Sequence, residues 1–355
     1  MTRIEKLYEQ MSKNNIDGLF LLTEPNVRYI SRFTGSDSFV FITSKNNYFI
    51  TDSRYTEQAQ SQCKGFEVIR WGNPFKSLVE TVKDLVKKDG VKRIGFEKEY
   101  MNFGMYESLR ESISNIELVP TSYLVEEIRV VKDEEEIECI KRACDFADKA
   151  FEKILKIIKV GMTEMELALE LEYYMRKAGA EGISFDTIFI SGKKTSLPHG
   201  QPSDKKIENG DFITIDFGAL YKGYHSDMTR TVVVGKANEK QVEIYNIVKA
   251  AQQRGLDVLR SGISGKEADT EVRKIMGEYN EYFGHGLGHG VGLELHEIPF
   301  MGVNCDRVLE ENSVVTVEPG IYIPDWGGVR IEDSVVVKKD GIEILTHSPK
   351  ELIIL

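Results

Sequence analysis

The alternation of apolar and polar positions divides the chain into two stretches of different character. Residues 1 to 124 switch repeatedly between helical and strand periods. Helical spacing covers Met1 to Asn14, Asp52 to Gln62 and Phe75 to Lys88. Short apolar runs at Gly18 to Thr23, Phe39 to Thr43, Tyr48 to Thr51, Arg93 to Glu97 and Ile116 to Val119 predict strands. Such alternation implies an α/β domain with a mixed sheet. Histidine is absent from this stretch, as is a tight acidic cluster, so no chemistry is expected there.

Residues 125 to 355 form a second domain with an α+β pattern. A long helix is predicted from Asp133 to Ile158, with Ile137, Ile140, Cys144 and Ala147 on one face. Gly161 ends it, and Thr163 followed by Glu166 opens the next helix as a capping pair. Strands follow at Ser184 to Ser191, Asp211 to Gly218 and Asp227 to Val234. Helical spacing then returns over Glu239 to Arg260, and Gly262, Ser264, Glu267, Glu271 and Met276 echo Gly161, Thr163, Glu166, Glu170 and Met175. The second domain therefore reads as an internal pseudo-duplication: two halves, each with a helix pair, a histidine-bearing loop and a hairpin carrying carboxylates.

In the first hairpin, Ile213, Ile215 and Phe217 alternate with Thr214 and Asp216, which puts Asp216 on the polar face. A turn around Tyr221–Gly223 would set Asp216 and Asp227 opposite or nearly opposite each other. In the second, a turn within Pro324–Gly328 would oppose Glu318 and Glu332. A single strand acid is ordinarily solvated or held by an arginine such as Arg230 or Arg330. Two opposed pairs at matching places of two half-repeats instead call for divalent cations. Histidine supplies further ligands: all six lie beyond residue 198, and His285, His289 and His296 crowd one glycine-rich stretch, GHGLGHGVGLELHE. His199 occupies the matching loop of the first half. His225 suits a rim or structural position and His347 the surface.

One imidazole with four carboxylates is a hard, oxygen-rich set. It suits Mn²⁺ best, with Co²⁺, Zn²⁺ or Fe²⁺ also accommodated. Two ions sharing a water would lower its pKa toward neutrality, which points to metal-assisted hydrolysis.

Bulk properties narrow the class further. The charge is −11, from 46 Lys and Arg against 57 Asp and Glu, with no basic block, so nucleic acid is not an expected partner. No apolar run reaches the length of a membrane helix. The four cysteines form no CxxC pair, and the charged amphipathic start is unlike a signal peptide, so a cytoplasmic location is expected.

The segments SLPHG, TIDFGALYKGYHSDMTRT, GHGLGHGVGLELHE, TVEPGIY and GGVRIED together resemble the creatinase/aminopeptidase P/prolidase family of "pita-bread" metallopeptidases, and NVRYISRFTGS and TDSRYTEQA resemble its amino-terminal domain. The resemblance runs over nearly the whole chain. It implies Asp216 on one ion, His289 and Glu318 on the other, and Asp227 and Glu332 bridging. Glu318 would also take a proton during attack. His199 and His296 would face the scissile bond, His285 the proline side, and Arg330 the substrate or the ligands. The implied substrate is a peptide with a free amino terminus and proline second, and the implied assembly a homodimer. Creatine hydrolases of this fold lack the metal ligands, and methionine aminopeptidases usually lack the long first domain. A non-catalytic peptide- or protein-binding module on the same scaffold is the alternative.

Overall fold

A computed structural model describes residues 1–355, and the chain divides into two compact units, Met1–Arg129 and Val130–Leu355. The first unit is built on a six-stranded mixed sheet. Its strands run in the order Glu67–Arg70, Asn47–Thr51, Phe39–Thr43, Gly18–Leu21, Arg93–Glu97 and Glu117–Thr121. The two pairings joining Gly18–Leu21, Phe39–Thr43 and Asn47–Thr51 are antiparallel and the outer ones parallel.

Helices cover this sheet for local reasons. Ser77 and Glu80 cap the helix Leu78–Asp89 reciprocally, and Gly90 ends it in the left-handed region. Its Leu78, Val82, Leu85 and Val86 are buried against Phe20, Phe41 and Ile94. The short helix Glu126–Arg129 belongs to this unit: Asn26 donates to the Glu126 carboxylate at 2.7 Å and accepts from Arg129 at 2.8 Å.

In the second unit the expected duplication is laid out in space. The helices Glu134–Ile154 and Glu164–Ala178 pack over the strands Ile188–Ser191, Phe212–Phe217 and Met228–Val233. The helices Glu239–Val258 and Gly265–Met276 pack over Val314–Val317 and Asp333–Lys338. Thr163 with Glu166 and Ser264 with Glu267 form equivalent capping boxes, preceded by Gly161 at φ +92° and Gly262 at φ +93°. Met175 and Met276 occupy matching places in the two cores. The helix expected to reach Ile158 ends at Ile154, and the chain continues in turns to the buried Ile158.

The first hairpin differs in register from the expected one. Its loop is the two-residue turn Lys222–Gly223, both at positive φ, flanked by the pair Tyr221 and Tyr224. Asp216 therefore opposes Thr229, and Asp227 lies diagonally from Asp216, just before the strand Met228–Val233. The ladder breaks at Gly218, where a Cβ would stand 1.9 Å from the Ser226 carbonyl oxygen, so only glycine permits this approach. The second hairpin keeps the expected register: Thr316 opposes Ser334 and Gly320 opposes Arg330. Glu318 and Glu332 consequently face each other where the ladder is interrupted. Glu332 N–H donates to the Thr229 carbonyl at 3.1 Å, and Ser334 Oγ donates to the Asp227 carbonyl at 2.8 Å. These bonds seam the two half-sheets together beside the acids.

Candidate metal centre

Alternation along three strands builds one polar face. Asp227, Thr229 and Thr231 share a face of one strand, Thr214 and Asp216 of its neighbour, and Thr316 and Glu318 of the second half-sheet. Gly288 lets the histidine strand Gly288–Gly290 close on this face, since a Cβ there would meet the Thr316 carbonyl oxygen at 2.2 Å. The face opens into a cavity of about 750 Å³ lined by Asp216, Asp227, Glu318, Glu332, His199, His285, His289, His296 and Arg330, among others. Every residue singled out from the sequence as catalytic or metal-ligating thus lines one cavity. His225 is not among the lining residues; its Nδ1 lies 2.8 Å from Ser184 Oγ. His347 is exposed.

Ligand-capable atoms of Asp227, His289 and Glu332 all lie within 4.8 Å of one another. His289 Nδ1 is 3.1 Å from the Gly290 carbonyl, which can only accept, so Nδ1 carries the proton and the Nε2 lone pair points inward. That lone pair meets Glu318 Oε1 at 3.3 Å and Asp227 Oδ2 at 3.6 Å. A lone pair directed at two carboxylates is repulsive unless a proton or a metal cation lies between them. Burial holds the His289 pKa down to about 4, with His296 adding to the effect, so the ring is a neutral ligand near pH 7.

The carboxylates carry the same strain. Burial, then Glu332 and Asp216, push the Asp227 carboxyl well above its usual range. Burial, then Glu318 and Asp216, do the same to Glu332. Burial drives Glu318 up to about 8 although Arg330 opposes the shift. Two oxygens, Asp216 Oδ1 and Glu332 Oε1, are buried with no hydrogen-bond partner. Orphaned acceptors beside an inward imidazole fit divalent cations. The arginines divide between two jobs. Arg330 donates to Asp216 Oδ2 at 2.5 Å, so a strand acid held by an arginine is found for one oxygen of one acid. Arg230 instead pairs with Asp333 at 2.7 Å and donates to the main-chain carbonyl of Glu332.

Residues 138–339 match the model of metallopeptidase family M24, and residues 3–131 match that of the creatinase/prolidase N-terminal domain. The chain belongs to metallopeptidase family M24. This M24 chain is similar to the Xaa-Pro dipeptidase of Pyrococcus horikoshii, with 42% identity over 354 residues, 99% of this chain and 98% of the relative. A solved Xaa-Pro dipeptidase from Bacillus anthracis matches it with a TM-score of 0.96 at 47% identity over all of both chains. An X-Pro aminopeptidase structure from Thermotoga maritima matches with a TM-score of 0.92 at 40% identity, again over all of both chains.

Sequence reasoning did not single out the residues that hold the M24 side chains in place. Thr229 Oγ1 donates to Glu332 Oε2 at 2.6 Å and accepts from Arg330 Nε at 3.0 Å. Thr316 Oγ1 accepts from His289 N–H at 3.0 Å and donates to Glu318 Oε1 at 3.2 Å. Tyr322 OH accepts from Arg330 Nη1 at 2.8 Å and lies 2.9 Å from His285 Nε2. Since His285 Nδ1 faces the Gly286 carbonyl at 2.9 Å, the tyrosine proton goes to Nε2. Burial, followed by Arg330, lowers the His285 pKa to about 4. The usable signal was strand parity, which places both threonines on the carboxylate face.

Proposed function

We propose that the protein is a metal-dependent exopeptidase that cleaves the bond on the amino side of proline next to a free N-terminus, as an Xaa-Pro dipeptidase or Xaa-Pro aminopeptidase. One observation supports this reading above others: four carboxylates and an inward-facing neutral imidazole converge on one cavity wall, with two of the carboxylate oxygens buried and unpartnered. The proline preference rests on similarity to the Pyrococcus and Bacillus dipeptidases.

In this proposal Asp216, Asp227, His289, Glu318 and Glu332 hold two divalent ions, with Mn²⁺ the first choice and Co²⁺, Zn²⁺ or Fe²⁺ alternatives. When bound, the ions supply Lewis acidity and make a water acidic enough to attack near neutral pH. The chain's own groups do the remaining work. Glu318, whose Oε1 lies 3.3 Å from His289 Nε2, accepts the proton released during attack. His296, exposed with its ring 4.3 Å from that of His289, stands with His199 on the cavity wall to donate hydrogen bonds to the developing oxyanion or the leaving imide nitrogen. Arg330 fixes one oxygen of Asp216 and leaves the other to the centre. His285, held as a neutral ring by Tyr322, shapes the proline side.

No helix is long and apolar enough to cross a membrane. The proposal places a homodimer in the cytoplasm; the four unpaired cysteines fit a reducing compartment. The intact five-residue set and the named dipeptidase relatives weigh against a non-catalytic binding module.

The test is turnover by the Mn²⁺-loaded protein on an Xaa-Pro dipeptide and on an Xaa-Pro-Yaa tripeptide. Cleavage of the dipeptide alone defines a dipeptidase, and efficient cleavage of the tripeptide an aminopeptidase. Cleavage of neither overturns the reading.

A further inference from the structure

His285 sits between two glycines, Gly284 and Gly286, whose backbone is held by no side chain of their own. A Cβ at Gly284 would meet nothing within 4 Å, so Gly284 faces open space, whereas a Cβ at Gly286 would stand 2.4 Å from the Met301 carbonyl oxygen. Yet the ring of His285 is held on Tyr322, and its segment forms part of the cavity wall. Something outside the segment must therefore fix it.

Arg273, on the helix Gly265–Met276, makes the fixing contacts. Its Nη1 donates to the Phe283 carbonyl at 3.0 Å and its Nη2 to the His285 carbonyl at 2.6 Å. A further Nη1 contact reaches Asn280 Oδ1 at 3.2 Å. The guanidinium carbon lies 4.2 Å from the centroid of the Phe283 ring, whose edge-on contact with the His285 ring spans 4.9 Å. Main chain and ring are thus gripped together. Asp269, one turn back on the same helix and fully buried, accepts Nε at 2.7 Å and fixes the direction of the fork. A planar guanidinium can serve these acceptors at once; a lysine ammonium cannot span them.

From this geometry we infer that Arg273, oriented by Asp269, is a positioning residue for peptide binding: it clamps residues 283–286 so that His285 and the adjoining wall present a preformed surface to the substrate. It acts through His285 and does not itself take part in the chemistry. The inference rests on the peptidase reading for its kinetic arm only. A second arm is independent of any substrate.

The test compares wild type with Arg273→Lys, which keeps a cation beside Asp269 but loses the fork. Hydrogen–deuterium exchange followed by mass spectrometry is expected to show residues 281–288 exchanging about tenfold faster in the variant, with the remainder of the second unit unchanged. Steady-state kinetics on an Xaa-Pro dipeptide are expected to show KM raised about tenfold while kcat falls less than about threefold. Should Arg273→Lys not fold, Asp269→Asn carries the same test, with shifts in the same direction at smaller size. Unchanged exchange over 281–288, faster exchange spread through the whole unit, or a kcat loss without a KM change each overturns the clamp. If the wild type cleaves no Xaa-Pro peptide, the peptidase reading fails, and the exchange arm still decides on the clamp.

Discussion

Arg330 holds one oxygen of Asp216 at 2.5 Å, while the other oxygen of that carboxylate is buried with no partner. The guanidinium thereby turns Asp216 so that a single oxygen is presented to the centre. It also donates to Tyr322 and Thr229, which join it to His285 and Glu332. Removing one partner of a buried ion pair leaves the other charge uncompensated. Arg330→Gln is therefore expected to destabilise the metal-free protein by about 3–5 kcal/mol, measured by urea denaturation. A loss under about 1 kcal/mol would mean that the pair is solvated and does not orient Asp216.

Asp227 is held unfavourably in the metal-free chain by burial and by Glu332, Asp216 and Glu318. Asp227→Asn removes one of these mutually repelling groups. The metal-free variant is expected to melt no lower than the wild type, to retain fewer than two metal ions per chain by elemental analysis, and to lose activity at least about a hundredfold. Full metal content with full activity would remove Asp227 from the ligand set.

Stability of the metal-free protein has a signed dependence on pH. Folding raises the Glu318 carboxyl from 4.5 to about 8, so its contribution is present below the ordinary value and is lost as pH rises through 8. His285 and His289 act in the opposite sense, since folding lowers them from 6.5 to about 4; their stabilising effect is complete above 6.5 and is lost as pH falls through 4. Between pH 6.5 and 8 the histidine effect is complete, the raised carboxyls Glu318, Asp227 and Glu332 act in one sense, and the metal-free melting temperature is expected to fall. Added Mn²⁺ competes with those protons, so the gain in melting temperature on adding metal is expected to widen over the same interval. A metal-free melting temperature that climbs from pH 6.5 to 8 in scanning calorimetry contradicts this balance.

Thr229 couples Glu332 to Arg330 through one hydroxyl. Thr229→Val keeps the shape and removes the donor to Glu332 Oε2. Metal affinity is expected to weaken about 10–100-fold with the fold intact, read by competition with a fluorescent chelator. An unchanged affinity would reduce Thr229 to a packing role.

Much of this arrangement was legible because strand parity and hairpin symmetry act over few residues. The second hairpin needed only its turn within Pro324–Gly328 to oppose Glu318 and Glu332. In the first, the turn Lys222–Gly223 centres one residue later than expected, with Lys222 at φ +47°, so Asp227 is the near partner of Asp216 and Thr229 the directly opposed one. The capping boxes at Thr163 and Ser264 marked the duplicated helices, since each satisfies its own backbone donors locally. Other elements left weaker traces. The helix Phe103–Ser112 has Leu109 as its only buried residue, so it shows little apolar stripe. The strand Glu67–Arg70 has no buried residue at all. The bond of Arg330 to Asp216 joins residues far apart in the chain, and those of Arg273 run from a helix to an irregular loop, so no local period encodes either.

Peptide cleavage is expected to depend on metal held at this one centre. Stripped of metal and titrated with Mn²⁺ while an Xaa-Pro dipeptide is turned over, the enzyme is expected to show activity that starts near zero, rises with each addition and levels off at two equivalents per chain. Undiminished turnover without metal, or none at saturation, would contradict the account.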